Sequence, residues 1–178
     1  MRFTKTPLSG AFIVELDRLA DDRGFFARSF CRREFERAGL NPDVLQCNVS
    51  RNNESGTLRG MHYQVSPLEE AKLVRVTSGT IYDVIIDLRP KSDTFTRWFG
   101  LELSESNHTA LYVPEEFAHG FLTLTDNTEV YYQMSNYYSP EHARGVRYND
   151  PAFGIIWPAP VKVISPKDQS LPDFKSGR

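Results

Sequence analysis

Six short runs limit what this chain can become. Residues 73–77, 80–88, 98–103, 109–113, 120–124 and 129–134 are rich in β-branched and aromatic side chains, and none exceeds nine residues. Turn signals part them: Ser78-Gly79, Arg89-Pro90-Lys91-Ser92, Glu105-Ser106-Asn107 and Thr125-Asp126-Asn127. Short strands at near-regular spacing predict an all-β, antiparallel sandwich or barrel. One segment, residues 31–39, reads as a short helix. It is charged, carries Phe35 and Ala38 at i and i+3, and stops at Gly39. From Tyr138 onward several prolines predict loop and short helix wrapping the surface.

Composition narrows the function. A chain of 178 residues, 40% hydrophobic and without linker or repeat, predicts a single domain over residues 1–178. A net charge of -2 argues against a nucleic-acid-coating surface. No uninterrupted apolar run reaches the length of a bilayer span. Residues 1–20 alternate polar and apolar and lack the apolar core of a secretory signal. Cys31 and Cys47 are too few for a disulfide framework and are expected as reduced thiols, which predicts a cytoplasmic location.

Four histidines can be weighed singly. His108 and His142 sit in turn-like sequences and are expected to be solvated. His62 lies among Arg59, Tyr63 and Gln64 in a strand-like segment, and His119 at the mouth of an apolar strand. Taken alone, a strand histidine is more often a satisfied core or edge residue than a functional one. Lys72 opens an apolar run, either pointing into a cavity or standing as an exposed edge charge. Tyr131 and Tyr132 face opposite sides by the period of two, so one of them is inward. Asp83, set among Ile81, Val84 and Ile85, needs hydrogen-bond partners if buried. The residue two after His62 is Gln64, so the paired histidines of a metal-binding cupin are missing and no metal site is expected. The chain lacks a P-loop, a GxGxxG fingerprint and a GxSxG elbow.

A series of motifs appears in order: Asp22-Arg23-Gly24-Phe25-Phe26, Gln46-Cys47-Asn48, Leu58-Arg59-Gly60-Met61-His62-Tyr63-Gln64, Lys72-Leu73-Val74-Arg75-Val76, Asp83-Val84-Ile85-Ile86-Asp87-Leu88-Arg89, Ala118-His119-Gly120-Phe121, Tyr148-Asn149-Asp150-Pro151 and Ser165-Pro166-Lys167-Asp168. From about Arg2 to Pro172 the chain thus resembles the dTDP-4-dehydrorhamnose 3,5-epimerase family of sugar-nucleotide enzymes. The resemblance implies a jelly-roll cupin with short helices in its N- and C-terminal regions, a homodimer with a swapped N-terminal segment, and no metal or cofactor. It implies a nucleoside diphosphate 4-keto-6-deoxy sugar as substrate, and no nucleic-acid or membrane partner. Hydrogens at C3 and C5 flank the C4 ketone, so removing either gives an enolate, which calls for a base, a cation at the oxygen and an acid on the opposite face.

Carried over by the resemblance, His62 is the base and Asp168 its orienting carboxylate. Lys72 stabilises the enolate oxygen with His119 nearby, and Tyr132 returns the proton. Arg59, with Arg23 from the neighbouring subunit, grips the diphosphate. Gln46, Asn48 and Lys167 are further substrate contacts and Phe26 an apolar wall. Strict alternation puts Arg59 and His62 on opposite faces, so Gly60 is expected to mark a bulge or kink that re-aims one of them.

The chain departs from the family's typical pattern at Arg28 (Glu in the family), Cys47 (Asp), Val49 (His), Gln133 (Lys), Ala143 (Glu) and Tyr148 (often Trp). Arg28 bears on the base. Arginine offers donors only, which suits a base without N3–H, so a CDP-sugar stands beside a dTDP-sugar; otherwise Arg28 turns outward. The emptied polar positions leave open inversion at C3, C5 or both. Two other readings remain: a metal-dependent cupin isomerase or dioxygenase, disfavoured by the missing histidine, and a non-catalytic sugar-nucleotide-binding cupin.

Overall fold

A computed structural model describes residues 1–175; residues 176–178, which the expected domain includes, lie outside the described residues. Two six-stranded layers, antiparallel but for one short parallel strand, dominate. The first sheet runs β1 (Arg2–Lys5), β2 (Phe12–Glu15), β10 (Ala110–Val113), β7 (Lys72–Ser78), β12 (Thr128–Met134) and β5 (Gln46–Asn52). The second runs β13 (Ala143–Gly145), β6 (Thr57–Gln64), β11 (Phe117–Thr123), β8 (Thr80–Asp87) and β9 (Trp98–Ser104), with β14 (Val163–Ile164) parallel to β6. A separate hairpin pairs β3 (Leu19–Asp21) with β4 (Gly24–Phe26). The helices are α1 (Arg32–Arg37) and α2 (Pro166–Gln169). This is the expected jelly roll, and all six runs expected as strands are strands.

Alternation explains the layers. Val74, Val76, Leu111, Val113 and Val130 from the first sheet meet Ile81, Ile85, Leu103, Phe117 and Phe121 from the second, closing one buried core. The outer faces are covered too. Phe35 of α1, with Leu40, packs on Val14, Leu73, Ala110 and Tyr112. Phe153, Trp157 and Phe174 of the C-terminal wrap pack over Met61, Val84, Ile86 and Ala118. Helix α1 ends as read, with Gly39 in the left-handed region at φ 71 and no atom within 4 Å of the space a Cβ would take.

The turn after β8 is latched by one carboxylate. Asp87, fully buried, accepts from Ser92 Oγ and Thr94 Oγ1 at 2.6 Å and from Arg89 Nη2 at 2.7 Å. Burial pushes its pKa up, but the bonds from Arg89, Ser92 and Thr94 outweigh this and leave it below the ordinary 3.8. A depressed carboxyl adds stability that is present above pH 4 and lost as pH falls through the lowered value. Asp87→Asn is therefore expected to cost about 3 kcal/mol at neutral pH. Acid and urea titrations followed by circular dichroism should show the gap between variant and wild type narrowing below pH 4.

Candidate active site

Two cavities meet between the sheets. The larger, about 520 Å³, is lined by Gln46, Asn48, His62, Glu70, Lys72, Tyr132, Ala143 and Lys167 among others. The smaller, about 280 Å³, is lined by Arg51, Arg59, Lys72, His119, Phe121 and Tyr132. Lys72 and Tyr132 belong to both.

His62 hangs from β6, and Asp168 reaches it from α2 across 106 residues of chain, Nε2 to Oδ1 at 2.7 Å. Local chemistry fixes the carboxylate. Ser165 caps α2 by accepting the Asp168 N–H at 3.1 Å, Pro166 fills the first helical position, and the Gly60 N–H donates to Asp168 Oδ2 at 3.2 Å. Burial raises the Asp168 pKa, but the hydrogen bond from His62, with the Gly60 N–H and nearby Lys167, more than reverses this and leaves it lowered. An ionised Asp168 accepts only, so Nε2 carries a proton, and in the neutral ring Nδ1 then keeps its lone pair, the form a base requires.

The expected irregularity at Gly60 is present. On β11, His119 lies opposite His62 and Phe121 opposite Arg59, so two steps on β11 span three on β6. Gly60 has φ 131, and a Cβ there would lie 2.5 Å from Gly120 Cα. The extra residue lets Arg59 line the smaller cavity while His62 lines the larger. Arg59 is held by Asn52 Oδ1 at 2.7 Å.

Lys72 is buried, which excludes the exposed-edge alternative. Tyr132 is the inward tyrosine; Tyr131 turns to the other face beside Cys47 and Arg75. Burial pushes the Tyr132 phenol up and the Glu70 charge adds to it, against Arg59, so it stays protonated at neutral pH. His119 is itself buried, and its Nε2 meets the fully buried Asp83 Oδ1 at 2.7 Å, a partner for one of the two Asp83 oxygens; Oδ2 has none among the described residues. Gln46 and Asn48 join at 3.1 Å on the wall of the larger cavity. Gln64 ties two rim loops, accepting the Ser139 N–H at 2.6 Å and donating to Leu68 O at 2.8 Å.

Arg23, Phe26 and Arg28 are not brought to either cavity of their own chain. Arg23 pairs with Asp21 at 2.5 Å, Phe26 is 71% exposed, and Arg28 turns to Glu34 at 3.1 Å. Sequence reasoning missed Glu70, whose Oε1 lies 2.8 Å from Lys72 Nζ. Its one signal was spacing, since residues two apart on an extended chain share a face. Among the described residues no three His, Cys, Asp or Glu side chains gather as a metal would require, and no helix is long and apolar enough to cross a membrane.

The model for dTDP-4-dehydrorhamnose 3,5-epimerase matches residues 5–176. The chain belongs to the dTDP-4-dehydrorhamnose 3,5-epimerase family. A curated member from Methanothermobacter thermautotrophicus is 42% identical over 172 residues, covering 95% of this chain and 92% of that protein. The crystal structure of a member from Elizabethkingia anophelis superimposes with a TM-score of 0.95 at 38% identity, covering 98% of this chain and 96% of that one. Another, from Bacillus anthracis with TDP and PPi bound, has a TM-score of 0.93 at 43% identity, covering 97% and 99%. The protein is thus an isomerase-class epimerase of deoxysugar nucleotide biosynthesis with the family's cupin-type fold.

Proposed function

We propose that the chain, as a single cupin-type domain, inverts C3 and C5 of a dTDP-linked 4-keto-6-deoxy sugar through an enolate, with no step assigned to a metal or cofactor. One observation carries the reading: a histidine with a free ring nitrogen, a buried ammonium and a protonated phenol line one cavity. His62 removes the proton beside the ketone, and Asp168 steadies the imidazolium that forms. Lys72, with His119 nearby, neutralises the oxygen at C4. Tyr132 delivers a proton from the far side, which inverts the carbon. Gln46, Asn48 and Lys167 contact the substrate and Arg59 holds the diphosphate.

Arg23 and Phe26 act in the cavity of a second copy, in a homodimer that exchanges the β3–β4 hairpin, while Arg28 stays turned outward. The hairpin's exposed Leu19 and Phe26 support this, as apolar side chains left uncovered in one chain. The paired Arg28–Glu34 and the TDP bound by the Bacillus relative favour dTDP over CDP. The free thiols Cys31 and Cys47 fit a cytoplasmic location. Proton NMR in deuterated buffer tests the reading on the dTDP- and CDP-linked 4-keto-6-deoxyglucose. Deuterium should enter C3 and C5 of the dTDP compound at least about 10-fold faster than of the CDP compound. No uptake into either would overturn the chemistry, and faster uptake into the CDP compound would overturn the choice of base.

A further inference from the structure

Glu70 has no part in the steps above, yet it is the only carboxylate among the described side chains lining either cavity, where Arg51, Arg59, Lys72, Arg144 and Lys167 supply the cations. Its side chain is 2% exposed and that of Lys72 8%, with Oε1 and Nζ 2.8 Å apart. Glu70 Oε2 is sealed from solvent and has no hydrogen-bond partner among the described residues. Burying a carboxylate that completes a single contact is costly, and an apolar pair of equal volume is often as stable or more so. Stability alone therefore does not account for it. An ammonium has three N–H donors. At Lys72 one meets Glu70 Oε1 and one points to the His62 carbonyl oxygen at 3.4 Å. The third has no partner among the described residues, and Lys72 borders both cavities.

We propose that Glu70 is a positioning residue that acts through Lys72, anchoring its ammonium so that one N–H is left for the oxyanion that develops at C4. The inference rests on the reading that Lys72 meets the enolate oxygen. The groups around Lys72 explain why an anchor is needed. The two cavities that it borders are also lined by His62 and Arg59 on β6, Tyr132 on β12, His119 on β11 and Lys167 on α2, and none of these is an anion; Asp43, beside Lys72 on a small separate cavity, pairs with Arg32 at 2.8 Å. Without Glu70 no carboxylate would fix the direction of the ammonium among these cations, which makes it a poorer partner for an enolate.

Glu70→Gln keeps the shape and removes the charge. In the full-length protein with 13C-labelled lysine, the Lys72 ε-carbon resonance, assigned with Lys72→Met, should move and broaden at constant pH in the variant as the side chain loses its anchor. The kcat should fall about 10- to 100-fold with KM within about 3-fold. An unmoved Lys72 resonance with unchanged kcat would overturn the proposal. Should Glu70→Gln not fold, Lys72→Met and the charge-neutral Glu70→Gln/Lys72→Met decide. A residue acting through Lys72 costs less than about 3-fold more once the ammonium is gone, and a further loss of about 10-fold or greater would overturn it. If wild-type enzyme exchanges no deuterium, the functional reading fails while the Lys72 resonance still judges Glu70. If wild type turns over and Glu70→Gln matches it, this inference fails alone.

Discussion

His62→Asn should leave less than about one-thousandth of wild-type kcat, with KM within about 3-fold, and no deuterium uptake at C3 or C5 above that of buffer. Asparagine can still donate to Asp168, so the bond that closes the cavity between β6 and α2 survives while the basic nitrogen is lost. The melting temperature should stay within a few degrees of wild type, because the His62 side chain is 43% exposed and makes no other hydrogen bond. A merely structural histidine would give the reverse pattern, lower melting with turnover per folded molecule retained. Stopped-time NMR on the dTDP compound and thermal melts on the same sample separate the two. Retention of a tenth or more of wild-type exchange would remove His62 from the role of base.

The second large effect falls on stability. Gly60→Ala puts a side chain where φ is 131 and where Gly120 Cα and His119 O would lie 2.5 and 3.0 Å from it. Both contacts are backbone of the neighbouring strand, which cannot turn aside as a side-chain tip would. Overpacking and backbone strain together are expected to cost about 3–5 kcal/mol, or about 10 °C in melting temperature. Activity per folded molecule should fall as well, since the Gly60 N–H donates to Asp168 and the same bulge aims Arg59. Gly39→Ala is the control. It has positive φ but open space, so about 1 kcal/mol is expected with turnover unchanged. A Gly60→Ala protein as stable as the Gly39→Ala control would show that β6 relaxes freely past β11.

Much of this arrangement was legible in the residues, for identifiable reasons. The six runs after residue 73 became strands because each buries at least one apolar face, and alternation is the signal that survives in sequence. Strand β5, Gln46-Cys47-Asn48-Val49-Ser50-Arg51-Asn52, was not read as a strand. It lies at a sheet edge, with one face on the cavity and the other exposed, so neither face is apolar. Strands β1 to β4 escaped for a related reason, being only three or four residues long. At the site, the irregularity at Gly60 was predictable because Arg59 and His62 could not share a face of a regular strand. The His62–Asp168 contact was not, since no local pattern links residues 106 positions apart; family resemblance alone joined them. Glu70 was hidden in the polar stretch Pro67-Leu68-Glu69-Glu70-Ala71, where two adjacent acids look like a solvated turn. Only the fold shows that one of them is turned inward onto Lys72.

His62 belongs to the second sheet, whereas Lys72 and Tyr132 belong to the first. In the proposed reaction the group that takes a proton and the group that gives a different one therefore stand on opposite layers. The gap between them is set by the valines, leucines and phenylalanines stacked between the layers. Hydrophobic filling here serves as a caliper: thinning it by a methylene would change the spacing of base and acid while leaving both side chains intact.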